Sequence, residues 1–156
     1  MGVDIHVRIL KYDDGEWKPV WLYKKNKDDV FVKVQPYNYR NYELFEILQG
    51  ESEYDDIANR WIDEKSLPAE TKEEIEHCKD WCYGFNEINL ADLRVYYLKH
   101  PLVKDYDVEW ENDIPVLKTN PIGHFIDDIV NYVDFEDDFT LIHGDSCVKI
   151  IYWFDR

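Results

Sequence analysis

The sequence predicts an α+β fold in which terminal β-hairpins form one sheet and a helical middle packs against that sheet. Two observations carry this prediction: β-like alternation of apolar side chains occurs at both ends of the chain, and helical periodicity occupies the residues between them. No repeat or low-complexity segment divides the chain, so we expect residues 1–156 to form a single globular domain.

The first element is a strand at "GVDIHVRI". Apolar side chains at positions 3, 5, 7 and 9 fall on one face, and Asp4, His6 and Arg8 fall on the other. The polar face is therefore either solvated or part of a site. "YDDGEW" supplies Asp-Gly turn chemistry and "WKPVWLYK" continues as a second strand, so residues 3–24 are predicted to form a hairpin.

The middle of the chain predicts four helices after a short strand, "VFVKV". "NYELFEIL" begins at Asn41 as cap and ends at Gly50. "SEYDDIANRWI" and "AETKEEIEHCKDWC" follow as the second and third helices. "NLADLRVYYLKHP" is the fourth, with Asn89 as cap and an end before Pro101.

The last third begins with "YDVEWENDIPVLK", which fits either a strand pair or a loop. "NPIGHFIDDIVNYV" predicts a helix with Asn120 as cap and Pro121 in the first turn. "FTLIHGDSCVKIIYWF" predicts a second hairpin, whose last strand is apolar enough to be central. We expect the segments 3–9 and 148–154 to pair as neighbouring strands.

The charge balance limits the partners. The chain has 18 Lys and Arg against 34 Asp and Glu, a net charge of −16. Such a surface repels nucleic acid and anionic membrane, and it attracts cations or the basic groove of a protein. We therefore expect no direct nucleic-acid or membrane binding. The absence of a leader or long apolar run and the presence of only three cysteines favour the cytoplasm.

Two segments that contain cysteine and histidine could form functional sites, but each also has an ordinary structural interpretation. Cys78 and Cys82 are one helical turn apart beside His77, which suits half of a metal site or a pair of ordinary thiols. "HGDSC", residues 143–147, places a histidine, an aspartate and a serine side by side. Triad chemistry needs these groups to converge from different parts of the fold, so a hairpin turn at Gly144-Asp145 is the preferred interpretation.

Five segments of the chain resemble a widespread family of small phage and prophage proteins whose function is unassigned. They are "MGVDIH", "DGEW", "RNYELFEIL", "SLPAETKEEI" and "IIYWFDR". Where members of that family carry a His- and Ser-containing stretch before an "S-W-L-T-L-x-E-L" helix, this chain has "DWCYGFNEINLADL". The resemblance implies a phage setting, hence the cytoplasm of a host cell, and a shared fold, but it implies no catalytic residues.

Two groups of residues are the candidate ligand-binding site. Asp4, His6 and Asp155 converge if the terminal strands pair, and they would suit a divalent metal as cofactor or a non-metal ligand. Alternatively, His6 and Asp4 form a structural polar cluster by hydrogen-bonding each other or the backbone of a nearby loop. Arg40, Asn41 and Tyr42 stand at a helix N-terminus, where an anion is favoured and a tyrosine can stack on a ring. Alternatively, Arg40 pairs with a carboxylate.

The expected function is that of an acidic, non-enzymatic binding protein that counters host defence. It would either sequester a small nucleotide-like signal or act as a DNA mimic that blocks the basic groove of a host defence protein. In the second case, neutralising Asp134, Glu136, Asp137 and Asp138 together should slow binding more than replacing Arg40 with Ala does. The alternative is a metal-dependent hydrolase centred on Asp4 and His6.

Overall fold

The computed structural model describes residues 4–37, 41–50, 57, 61–99, 107–118 and 121–155, with the backbone alone at 42–43, 107–111 and 114–118. The strands are β1 (Asp4–Asp13), β2 (Glu16–Pro19), β3 (Leu22–Lys25), β4 (Phe31–Val34), β5 (Cys82–Asn89), β6 (Asp107–Glu111), β7 (Ile114–Lys118) and β8 (Val148–Asp155). The helices are α1 (Tyr42–Gln49), α2 (Ala69–Cys78), α3 (Leu90–Lys99), α4 (Pro121–Val133) and α5 (Phe139–His143). Short 3₁₀ turns span Glu64–Ser66 and Asp145–Cys147.

The terminal strands are neighbours in one antiparallel sheet, as predicted. Its order is β2-β1-β8-β5, and β1 pairs with β8 in a register that sets Asp4 opposite Asp155. Separate two-stranded sheets are formed by β3 with β4 and by β6 with β7. The second strand predicted for the first hairpin is thus divided, because the chain leaves the main sheet after Pro19. The α+β class, with a helical middle packed against the sheet, is confirmed.

One face of the sheet carries the main core. Ile5, Val7 and Ile9 are almost fully buried on this face, as the alternation in the sequence predicted. They belong to one cluster with side chains of α1, α3 and α4, among them Leu44 and Phe125. Burying such side chains stabilises the fold by about 1.5–3 kcal/mol each.

The opposite face is also covered, so the polar face of β1 is not a solvated surface. A second apolar cluster consists of Leu10, Ile151 and Trp153, with Ile75 of α2 and Phe85 of β5 packed against it. Helix α2 therefore lies over the part of the sheet from which His6 and Arg8 project.

Strand β5 was not predicted from the sequence. Its segment, "CYGFNEIN", lacks clean alternation because both of its faces are packed and its register with β8 shifts between Tyr83 and Asn86. Gly84 stands within this irregularity with φ +69°. A Cβ atom at this position would lie 2.5 Å from Cδ2 of Phe154, so only glycine lets the phenyl ring approach.

The predicted C-terminal hairpin is wrong in its first half. Residues 139–143 form α5 instead of a strand, because Asp134 accepts a hydrogen bond from the backbone N–H of Thr140 at 2.9 Å and Phe139 inserts into the core. Gly144 follows this helix with φ +90°. Asp145 pairs with Arg94, with 2.8 Å between Oδ2 and Nε, and so has a partner outside the "HGDSC" segment.

The remaining helix predictions are mostly confirmed. Asn41 accepts a hydrogen bond from the N–H of Leu44 at 3.0 Å, and Gly50 ends α1 with a left-handed backbone. Asn89 caps α3 in the same way through the N–H of Asp92. The segment 107–118 is the strand pair. The second predicted helix, 52–62, lies mainly outside the described residues. Pro101, the predicted breaker of the fourth helix, and Asn120, the predicted cap of the next one, lie wholly outside them. No described helix is long and apolar enough to cross a membrane.

Candidate ligand-binding site

The residues predicted at the two ends of the chain meet at one end of the sheet. The imidazole Nε2 of His6 lies 2.6 Å from Oδ2 of Asp155. The other carboxylate oxygen, Oδ1, accepts the backbone N–H of Asp4 at 3.3 Å. Because an ionised carboxylate can only accept hydrogen bonds, Nε2 of His6 donates to Asp155, and in the neutral imidazole this leaves the lone pair on the second ring nitrogen, Nδ1.

The orientation of the His6 ring is fixed by stacking as well as by the hydrogen bond. It stacks on the indole of Trp153, with 5.7 Å between ring centroids and 12° between the planes. The described residues offer no hydrogen-bond partner for Nδ1, and about a third of the His6 side chain is exposed. His6 therefore presents an acceptor nitrogen and one side of a ring to the space beside it.

That space is a groove of about 800 Å³ between the sheet, α2 and the β3–β4 hairpin, here called the His6 groove. His6, Arg8, Trp153 and Asp155 form its floor. Its walls include Trp21 and Lys33 on the hairpin side, Glu70, Glu73 and Glu74 on α2, and Trp81 after α2.

Arg8, on the floor of the His6 groove, forms hydrogen bonds to both of its walls. Its Nε donates to Glu74 at 2.8 Å, and Nη1 donates to Gln35 of the chain after β4 at 2.9 Å. The guanidinium also lies over the rings of Trp21 and Trp153, at 5.4 and 5.1 Å from their centroids. Because Arg8 bonds both to Glu74 of α2 and to Gln35 after β4, this arginine positions α2 and the hairpin around the groove.

Lys33 is likewise paired. Its Nζ lies 2.8 Å from Oε1 of Glu70 and 4.4 Å from the ring centroid of Trp21. The hydrogen bond from Lys33 holds the pKa of Glu70 below its usual value, against a smaller opposing effect of burial. With both cations matched to carboxylates, the lining retains an excess of acceptor groups, including Glu73 and Asp155.

The cysteines at the groove correct the prediction of a helical pair. Cys78 ends α2, whereas Cys82 begins β5 opposite Asp155. Burial raises the pKa of the Cys82 thiol to about 12, and its hydrogen bond with Cys78 and the charge of Asp155 add to the shift. Cys82 is therefore a neutral thiol at physiological pH and not a nucleophile.

Among the residues that the structure describes, no group of three or more His, Cys, Asp or Glu side chains is arranged to hold a metal ion. The Asp155 oxygens face His6 and the backbone of Asp4 instead. The metal-dependent alternative at Asp4 and His6 thus gains no support from this geometry, and the cluster has the form of a polar, hydrogen-bonded site.

The structure describes only part of the second predicted group, which consists of Arg40, Asn41 and Tyr42. Arg40 and the side chain of Tyr42 lie outside the described residues. Asn41 uses its side-chain oxygen to cap α1, which leaves its amide group as the only donor it could offer to a ligand. A second cavity of about 630 Å³ lies on the other side of α2, lined by Ile62, Ile75 and Phe85 among others, and it contains none of the predicted site residues.

Comparison with protein-family models, with curated proteins and with solved structures finds no match to this chain. The resemblance to phage proteins therefore remains a prediction from its sequence segments.

Proposed function

We propose that this protein is a non-enzymatic binding protein that sequesters a small nucleotide-like signal in the His6 groove, in the host-cell setting that the phage resemblance implies. The observation that carries the proposal is the His6–Asp155 pair, which fixes an acceptor nitrogen and a ring at the floor of an open groove. Hydrogen bonds and ion pairs hold the side chains of the floor and walls in place, which lowers the cost of ordering them on binding.

The chemistry of the lining indicates which part of a nucleotide the groove would take. Carboxylates and the lone pair of His6 accept hydrogen bonds, so they complement the amino and ring N–H groups of a nucleobase. Trp81, which is 57% exposed, offers an aromatic surface at the rim. The same carboxylates disfavour phosphate inside the groove. We therefore assign the base to the groove and the phosphate to its rim.

The first test is calorimetric titration with adenosine, cytidine, guanosine and uridine. The amino-bearing nucleosides should bind more tightly than uridine, which lacks an exocyclic amine. His6→Ala should reduce their affinity at least tenfold, whereas His124→Ala, a change at an exposed histidine of α4, should not. Equal affinity in wild type and His6→Ala would refute the proposal, and so would a lack of binding by all four nucleosides together with no ligand released on denaturation.

Arg40 lies outside the described residues, and its role as the anion-binding group of this site stays a prediction from the sequence. Replacing Arg40 with Ala should weaken the binding of a nucleoside monophosphate but not of the corresponding nucleoside. We expect this change to cost about 1 kcal/mol of stability or less. Equal loss for both ligands would argue against a phosphate contact.

A second candidate function is the blocking of a basic groove in a host defence protein. Exposed carboxylates at the end of the sheet away from His6 favour it. Lys11 Nζ approaches Oδ1 of Asp137 to 3.8 Å, which brings the loop after α4 beside the β1–β2 turn. The exposed carboxylates at this end, here called the acidic end, belong to Asp13, Asp14, Glu16, Glu136, Asp137 and Asp138. Such an array can compete with DNA phosphates for a basic surface.

The structure changes how this candidate should be tested. Asp134 caps α5 by accepting the N–H of Thr140. It should not be substituted in this test, because its neutralisation would disturb the helix. Glu136→Gln with Asp138→Asn should slow association with a basic partner, and the effect should shrink as salt rises from 0.1 to 1 M, where the Debye length falls from about 10 to about 3 Å.

The readout is displacement of labelled duplex DNA from purified DNA-binding proteins of a bacterial host. A double variant with the same change of charge at distant exposed sites, Glu46→Gln with Asp127→Asn, is the matched control. If the two double variants have equal effects, binding depends on the net charge of the protein and not on the acidic end. If the wild type displaces no DNA, this candidate function is excluded.

A further inference from the structure

The β3–β4 hairpin presents aromatic and cationic side chains in alternation on one face. Its register sets Tyr23 opposite Lys33 and Lys25 opposite Phe31. Directly paired residues project from the same side of an antiparallel ladder, so these four side chains share one surface, here called the hairpin face. Lys25 Nζ lies 5.3 Å from the ring centroid of Phe31, within cation–π range.

The hairpin face is exposed, while the other side of the hairpin is anchored. Tyr23 is 57% and Phe31 64% exposed, although both are large and apolar. Leu22 and Val34 pack against the main core from the other side. The hydroxyl of Tyr132 accepts the N–H of Leu22 at 3.0 Å and donates to the carbonyl of Val34 at 2.9 Å. The exposed rings of Tyr23 and Phe31 therefore belong to a hairpin whose backbone is anchored to the core.

The hairpin face runs directly into the His6 groove. Lys33 belongs to both, because it is paired with Tyr23 on the hairpin and lines the groove over Trp21. A ligand whose first ring occupies the groove and which continues past Lys33 therefore meets Tyr23, Lys25 and Phe31 next.

The charge of the hairpin contrasts with that of the chain. Residues 22–33 contain four lysines and two aspartates, within a protein of net charge −16. Lys25 pairs with Asp29 at 3.3 Å, but the side chains are 53% and 82% exposed, and such surface pairs are weak. A phosphate can therefore replace Asp29 as the partner of Lys25.

We propose that the hairpin face binds the second nucleotide of a short single-stranded oligonucleotide whose first base lies in the His6 groove. Lys25 contacts the phosphate that links the two nucleotides, and Tyr23 and Phe31 stack on the second base, as aromatic platforms do in proteins that bind single strands. This inference rests on the proposed function and narrows its ligand to two or a few linked nucleotides. The expectation of no direct nucleic-acid binding then applies only to long or double-stranded molecules, which the surrounding carboxylates and the net charge of −16 disfavour.

The test compares the linear dinucleotide pApA with adenosine monophosphate by calorimetry at 50 mM and 200 mM salt. The dinucleotide should bind at least tenfold more tightly at the lower salt. Tyr23→Ala and Phe31→Ala should each weaken its binding by about fivefold or more, the loss expected for one stacked base. Neither change should alter the affinity for the monophosphate. Tyr12→Ala, at a tyrosine 42% exposed on the other hairpin, is the matched control.

The outcomes separate this inference from the function on which it rests. If the monophosphate binds and depends on His6, but the dinucleotide binds no more tightly or is insensitive to Tyr23→Ala and Phe31→Ala, the hairpin face is not a binding surface and the groove proposal stands. If neither ligand binds, both proposals fail. Lys25→Gln provides a second check, because it should reduce the salt dependence of dinucleotide binding while leaving the aromatic rings in place.

Discussion

His6 and Asp155 stand 149 positions apart in the chain and share a hydrogen bond of 2.6 Å. The bond depends on the β1–β8 register, which sets Asp155 opposite Asp4 and Trp153 opposite His6. A shift of one residue would send these side chains to the opposite face of the sheet. The geometry of the site is therefore a property of the pairing between the terminal strands.

The first prediction concerns the proton on Nε2 of His6. It should give an imidazole N–H resonance protected from solvent exchange in nuclear magnetic resonance spectra, assigned by its loss in His6→Ala. Asp155→Ala should abolish the protection, because it removes the acceptor, and should lower stability by about 1 kcal/mol or less for so exposed a pair. Asp145→Ala, at a carboxylate of similar exposure that pairs with Arg94, should leave the resonance unchanged. Protection that survives Asp155→Ala would mean that another group holds the ring.

The second prediction concerns the glycine under Phe154. Gly84→Ala should destabilise the fold by roughly 2–4 kcal/mol, because the new methyl group overlaps the phenyl ring and the backbone has φ +69°. Gly15→Ala has a similar backbone, with φ +81°, but nothing lies within 4 Å of its Cβ position. It should cost only about 1 kcal/mol. Equal midpoints in urea denaturation for the two variants would show that the contact with Phe154 is unimportant.

The third prediction concerns the cap of α1. Asn41→Ala should lower the free energy of unfolding by about 1 kcal/mol, because the N–H of Leu44 loses its acceptor. Asn131→Ala replaces an exposed asparagine within α4 and should be neutral or slightly stabilising, since alanine favours a helix interior. Thermal or chemical denaturation distinguishes the two. A neutral Asn41→Ala would leave the residue free for a role in ligand binding instead.

The fourth prediction concerns the pH dependence of stability at Asp128. Burial raises the pKa of this carboxyl, the charge of His124 opposes the shift, and Asp127 adds to it. Since the folded-state pKa is above the unfolded one, ionisation is less favourable in the folded protein and the free energy of unfolding falls as pH rises through the folded pKa.

Asp128→Asn should therefore stabilise the protein at pH 7, and the gain should disappear below about pH 4, where the carboxyl is protonated in both states. Asp127→Asn, a change at the adjacent exposed residue, is the control and should show a smaller gain. A gain for Asp128→Asn that is the same at pH 3 and pH 7 would trace to packing rather than to ionisation.

The sequence predicted the elements whose local signals agree with their tertiary surroundings. β1 has clean alternation, α1 has Asn41 and Gly50 at its ends, and the apolar side of α4 is buried as its periodicity indicated. β5 and α5 were missed because their conformations depend on distant partners: Phe154 packs against Gly84, and Asp134 caps the turn at Thr140.

The site was predictable where it depended on strand pairing alone. Asp4, His6 and Asp155 were expected to converge, and the side chains of His6 and Asp155 share a hydrogen bond that Asp4 joins through its backbone N–H. Of the three, His6 and Asp155 line the His6 groove. The floor and walls were not foreseen, because Trp153 belongs to an apolar run that predicts core and Glu74 belongs to an acidic helix that predicts a solvated surface. Arg8 stood on the polar face of β1 in the sequence, but its role in joining Trp21, Trp153 and Glu74 requires the positions of three separate elements.

The pairing of β1 with β8 also has a consequence for folding kinetics. Its outermost pair joins residues 151 positions apart, so the chain must close a very large loop before the centre of the sheet can form. Domains dominated by such long-range contacts fold on timescales of about milliseconds to seconds. Helices α1, α3 and α4 can form transiently beforehand, but they have no sheet on which to pack. The binding groove should consequently emerge in the same cooperative step as the hydrophobic core, with no partly folded species able to hold a ligand.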